Sequence, residues 1–207
     1  MSTILIQPEQ RVLLRNVRWE TYKQLLDANQ EKGAPRLTYD RGRLEIMSPS
    51  AEHEQLKEVI TLLVNVIAEE KTLDIEGFGS TTFRREDLER GFEADACFYI
   101  GKAKQVRGKD NIDLSSDPPP ELVIEVDITH SSVNKLSIFS EFGVSEVWQY
   151  DQKQLKIFTL AGSEYLESPA SKVFPDLTPS IISHFIEESR KTDRPSWLRR
   201  LREWARA

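Results

Sequence analysis

The chain has few of the residues that staple or metallate small proteins. It carries one cysteine, Cys97, and three histidines among 207 residues. No intrachain disulfide can form, no cysteine cluster can hold zinc, and His53, His130 and His184 lack zinc-ligand spacing. A reducing, cytoplasmic setting is the expectation. Long hydrophobic runs are missing too, so no segment is expected to span a membrane. The first residues lack the basic-then-apolar layout of a secretory signal. There is no glycine-rich phosphate loop: Gly77 and Gly79 have neither the third glycine nor the following helix of a dinucleotide fingerprint. Internal repeats and long low-complexity stretches are absent. Positive charge is in deficit, with 28 Lys and Arg against 34 Asp and Glu, a net charge of −6. That balance argues against coating nucleic acid by bulk charge. It leaves room for a nuclease, because acids gathered around a cation keep a site negative until the ion binds.

What is present is a chain with 39% hydrophobic and 30% charged residues, long enough for one real core. Asn16 to Asn29 reads as a helix with Trp19, Tyr22, Leu25 and Leu26 on one side. Arg36 to Met47 reads as a hairpin turning at Asp40-Arg41-Gly42. Ser48-Pro49-Ser50 introduces a stronger helix, about Glu52 to Lys71, whose Leu56, Val59, Ile60, Leu63, Val64 and Ile67 fall in one arc. Strands are predicted at Leu73 to Ile75, Ser80 to Arg84, Ala94 to Ile100, Leu122 to Ile128, Glu146 to Tyr150 and Leu155 to Leu160. Lys102 to Asp117 reads as a surface loop ending in a stiff proline run. Helices are predicted from Ser132 to Phe142, stopped at Gly143, and near Pro179 to Glu188. The interleaving predicts an α/β domain with a mixed sheet covered by helices. It is expected to occupy residues 1–190. A basic helical tail, residues 191–207, follows. That tail is either a solvated helix docked through its tryptophans or a surface that touches phosphate.

Two acidic clusters carry the chemistry. Asp95 lies in Gly91-Phe92-Glu93-Ala94-Asp95-Ala96-Cys97-Phe98-Tyr99-Ile100, and Glu125 and Asp127 lie in Glu121-Leu122-Val123-Ile124-Glu125-Val126-Asp127-Ile128. A carboxylate inside an apolar strand costs stability unless it is paired or metal-bound. If the two strands are neighbours, Asp95 and Glu125 meet, and two like charges so close require a cation or a proton. Hard carboxylate oxygens suit Mg²⁺, or Mn²⁺. Such an ion polarises a phosphate and lowers the pKa of an attacking water. Lys135, on the following helix, is placed to orient that water or stabilise developing charge. Asp127 shares a strand face with Glu125 and is a further ligand or an anchor for Lys135. The alternative for both acids is a position at a strand end, paired with arginine. Cys97 reads as a small buried hydrophobe.

The runs "GFEADACFYI" and "DPPPELVIEVDITHSSVNKLSIFSEFGVSEVWQYD", with "RLTYDRGRLEIMSPSAEHEQ" and "GSTTF", resemble the Uma-type family of restriction-endonuclease-like proteins within the PD-(D/E)XK nuclease superfamily. The resemblance covers roughly Trp19 to Phe185. It implies a restriction-endonuclease-like core, a mixed central sheet flanked by helices with an N-terminal helix and hairpin. It also implies Mg²⁺-dependent hydrolysis of DNA phosphodiesters. Asp95 matches the metal-binding acid of the "PD" element, with Ala94 in place of its proline, and Glu125 matches the acid of the second element. The superfamily's usual lysine position holds Asp127, and Lys135 fits the place where Uma-type sequences carry a lysine on the next helix. Glu54 is the nearest match to an accessory acid on the first core helix. Its neighbour His53 stands at a frequent family position, where capping or packing competes with catalysis. Cutting both strands of DNA needs two sites, so a homodimer is expected. A catalytically inactive nuclease-fold module for nucleic-acid or protein binding is the standing alternative.

Overall fold

The computed structural model describes residues 9–29, 35–129, 131, 133–151 and 154–207. Strand β1 (Gln10–Leu14) leads into helix α1 (Trp19–Asn29). The hairpin is formed by β2 (Arg36–Asp40) and β3 (Arg43–Ser48). Arg41 and Gly42 both take positive φ, 47° and 87°, which suits a two-residue turn between twisted strands. Helix α2 (Ala51–Glu70) starts where Ser50 Oγ accepts the backbone N–H of His53 at 3.2 Å, an N-cap that fixes His53 in the first turn. Short strands β4 (Glu76–Gly77), β5 (Thr82–Arg85), β6 (Arg90–Glu93) and β7 (Ala96–Tyr99) follow, then a single turn of helix, α3 (Ala103–Val106). Strand β8 (Leu122–Val126) precedes α4 (Lys135–Phe142), which ends at Gly143 in the left-handed conformation, φ 77°. The chain finishes with β9 (Glu146–Tyr150), β10 (Leu155–Ala161), β11 (Glu164–Ser168), α5 (Pro179–Ser189) and α6 (Arg194–Arg206).

Among the described residues the strands form two sheets. One is antiparallel throughout, in the order β1-β3-β2-β6-β5. The other has the order β11-β10-β9-β8-β7-β4 and is mixed, its one parallel pair being β8 with β9. The mixed α/β layout matches the sequence expectation; the second sheet is an addition to it. Period two on β8 divides its side chains. Leu122, Ile124 and Val126 enter a core with α2, α5 and α6, while Val123 enters one with α4 and the phenylalanines of β5 and β6. A third cluster packs Trp19 and Tyr22 of α1 on Tyr39, with the two tyrosine rings stacked at 4.9 Å. Gly91 lies directly beneath Tyr22, leaving no room for a Cβ. In the basic C-terminal stretch, Trp197, Leu201 and Ala205 of α6 are buried in the α2 core, and Arg202 and Arg206 pair with Glu70.

Three expectations change. The run read as one strand from Ala94 to Ile100 begins as a strand only at Ala96. Phe92 and Glu93 belong to the other sheet, and Asp95 stands in the bend where the chain passes between sheets. A run broken only by Glu93 and Asp95 gives no signal of such a crossing, because the apolar residues on both sides are buried. Leu73 to Ile75 is not a strand. The helix read from Ser132 starts at Lys135, where Asn134 Oδ1 caps it by accepting the Ser137 N–H at 3.2 Å; Ser132 and His130 lie outside the described residues.

Candidate active site

The C-terminal end of β8 lies where the two sheets and the starts of α2 and α4 converge. Glu125 is 5% exposed. Its Oε2 receives Lys135 Nζ at 2.5 Å, and its Oε1 is buried with no hydrogen-bond partner among the described residues. Because Lys135 opens its helix, its long side chain runs back along the β8 end. Glu125, Asp127, Ser131, Lys135, Phe139 and Gln149 help line a cavity of about 140 Å³. Asp127 accepts from Gln149 Nε2 at 3.3 Å and Arg11 Nη2 at 3.4 Å.

Asp95 stands one position beyond the Ala96–Ile124 pair of the β7–β8 ladder, and so next to Glu125 along the backbone. It is 1% exposed. Oδ2 accepts the Val126 N–H at 2.6 Å. Oδ1 lies 2.9 Å from His53 Nε2 and forms an ion pair with Arg36 Nη1, and Asp95 is not among the residues lining the cavity. The two acids are neighbours on paired strands, but each faces a different cation, Arg36 at Asp95 and Lys135 at Glu125. At Asp95 the arginine-paired arrangement is the one present. Among the described residues, no group of three or more His, Cys, Asp or Glu side chains is arranged to hold a metal ion.

His53 is fully buried. Its Nδ1 lies 2.7 Å from Glu9 Oε2, and its Nε2 lies 2.9 Å from Arg36 Nη1 as well as from Asp95. Burial would raise the Glu9 carboxyl, but hydrogen bonds from His53 and Thr129 and the charge of Arg11 outweigh it, holding that group at about 2. Glu9 is thus an ionised acceptor at neutral pH, which directs the Nδ1–H of His53 toward it. Glu54 is half-buried, as its place off the apolar arc of α2 requires. It takes Arg36 Nη2 and Lys57 Nζ, each at 2.5 Å. Burial again works to raise its carboxyl, but the two cations bring it below the ordinary range.

Four charged residues complete this network without having been read from the sequence. Arg11 of β1 donates to Glu9, Thr129 and Glu45, each at 2.8 Å, and reaches Asp127. It links the His53–Asp95 side to the Glu125 side. Glu45 is 1% exposed and lies between Leu44 and Ile46, so an acid in an apolar strand marked it as clearly as it marked Glu125. Arg36, Arg11 and Glu9 carry no such signal, because charged residues at strand edges are ordinary. Cys97 is fully buried, and burial pushes its thiol up to about 12, which removes it from nucleophilic chemistry.

A family model, Uma2, described as "Putative restriction endonuclease", matches residues 19–187. No curated protein matches the chain. Among solved structures, a putative nuclease belonging to DUF820 from Anabaena variabilis ATCC 29413 aligns over 79% of this chain and 92% of its own, at 17% identity and a TM-score of 0.46.

Proposed function

The chain belongs to the Uma2 family, whose model spans most of it, and on that premise we propose that it is a divalent-metal-dependent endonuclease that hydrolyses DNA phosphodiester bonds in the cytoplasm. The observation that carries the reading is Glu125, a buried carboxylate with one oxygen lacking a partner among the described residues, beside Lys135 in a cavity at the end of β8. A buried acceptor left unmet costs about 1–3 kcal/mol, so it needs a reason. The donors fit Mg²⁺ or Mn²⁺ in kind: Glu125 offers a free hard oxygen, Asp95 is its neighbour, and Asp127 lines the same cavity.

A bound cation would polarise the scissile phosphate and acidify a water. The remaining work belongs to the chain. Glu125 and Asp95 would hold the ion. Lys135, fixed by the Asn134-capped helix start, would stabilise charge developing on a phosphate oxygen or orient the water. Asp127, held by Arg11 and Gln149, supports the strand end beside Glu125. A homodimer would supply one site per DNA strand. The Arg36 pairing of Asp95, with Asp127 at the usual lysine position, favours a second reading, a nuclease-fold module that binds without cutting.

Incubation of supercoiled plasmid with the protein in Mg²⁺, in Mn²⁺ and in EDTA separates the two. Metal-dependent nicking that is lost in Glu125→Gln supports the nuclease. DNA binding that persists in EDTA, without product under any condition, establishes the module. Light scattering during size-exclusion chromatography reports whether the chain is dimeric.

A further inference from the structure

We infer that Arg36 is the resident counter-ion of Asp95, and that a divalent cation gains that carboxylate only by displacing the Arg36 guanidinium. The inference rests on the metal-dependent reading and adds to it a residue that sets how tightly the ion is held.

Arg36, on β2, is 4% exposed. Nη1 is on Asp95 Oδ1 and 2.9 Å from His53 Nε2, and Nη2 is 2.5 Å from Glu54 Oε1. The third nitrogen, Nε, is buried and has no hydrogen-bond partner among the described residues. Arg90 shows what a structural buried arginine looks like in the same sheet. It is equally buried, its Nε donates to Asp40 at 2.8 Å, and its Nη1 donates to the Ser137 carbonyl at 2.7 Å. Both arginines are held by carboxylates, Arg90 by Asp40 and Glu141, but among the described residues only Arg36 keeps a buried nitrogen without an acceptor.

The acceptor side mirrors this. Glu125 Oε1 has no donor, and Asp95, whose Oδ2 is pinned to the Val126 N–H beside Glu125, spends its other oxygen on Arg36. A cation seated between Asp95 and Glu125 would satisfy the free oxygen and place positive charge against the Arg36 fork, so the two cations exclude one another. Glu54 gives the guanidinium somewhere to go: it is half-exposed, already bonded to Nη2, and lies outward of Asp95.

The test is calorimetric titration of the full chain with MnCl₂, checked by the electron paramagnetic resonance of free Mn²⁺. Arg36→Gln should bind Mn²⁺ at least about tenfold more tightly than wild type, and Glu125→Gln should bind none. Arg36→Lys, whose single ammonium cannot serve Asp95 and Glu54 together, should fall between. Because Arg36→Gln leaves Asp95 buried without its partner, which destabilises the fold, the wild-type arginine Nε–H spectrum provides an independent readout: the Arg36 resonance should move as MgCl₂ is added. Equal or weaker Mn²⁺ binding by a folded Arg36→Gln, with wild-type binding intact, overturns the inference and leaves the metal-dependent reading standing. So does an Arg36 signal that MgCl₂ does not move. Absence of Mn²⁺ binding in wild type and variant alike overturns both.

Discussion

Glu146 and Glu125 are buried acids on adjacent strands of one sheet, and they are treated in opposite ways. Glu146 is fully buried at the start of β9. Its oxygens accept from Trp148 Nε1 and Ser171 Oγ, both at 2.6 Å, and from the Lys172 N–H at 2.5 Å. All the donors are neutral and both oxygens are used, so it ties the 171–172 segment to the sheet. Glu125, at the far end of β8, meets the Lys135 ammonium through one oxygen and, among the described residues, nothing through the other. Burial of an acid therefore does not mark a site. What separates the two is unmet bonding capacity beside an exchangeable positive charge, with further acids and cations close by.

Substitutions can break this contrast. The largest expected effect is on Glu125→Gln, which should lower metal-dependent plasmid cleavage by about 100-fold or more while leaving the thermal midpoint near wild type, since the position is not fully bonded to begin with. Glu146→Gln should do the reverse. It presents an amide donor to donors, so chemical denaturation should show a loss of about 3 kcal/mol, with cleavage per folded molecule unchanged. Loss of cleavage in Glu146→Gln at full stability would remove the distinction.

The acid limb of the stability curve sharpens the same point. Glu9 titrates at about 2 in the folded chain against an ordinary value of 4.5. Its contribution is complete above pH 4.5 and disappears as pH falls toward 2, on the order of 2 kcal/mol after allowance for solvent screening. Denaturation midpoints measured from pH 6 to 2.5 should flatten in Glu9→Gln relative to wild type. The smallest expected effect is ligand-linked. MgCl₂ at ten times its dissociation constant should stabilise wild type by about 1.4 kcal/mol, seen as a rise in thermal midpoint, and should leave Glu125→Gln unmoved.

Much of this molecule was legible in its order of residues. The hairpin at Arg41-Gly42, the arc of α2, the glycine stop of α4 and the two buried runs all follow from local rules of period, capping and turn geometry, which act over a few residues. Glu125 was legible for the same reason: an acid between valines and isoleucines stands out in one dimension. Glu45 offered the same signal and would have been found by applying it to "LEIM". The break at Asp95 was not legible, since one apolar run fed two sheets.

Partnership was settled only by the folded chain. His53 and Asp95 are 42 residues apart, and Arg11 and Asp127 are 116 apart. Chain sequence states which charges exist. Which pairs form depends on how β1 and β2 of one sheet come to stand against β8 of the other, a packing of surfaces that no short window encodes. So the local order determined that acids would be buried here, and tertiary structure decided that one would be neutralised by Arg36 while its neighbour kept an oxygen free, because electrostatic pairing is set by distance in space and not along the backbone.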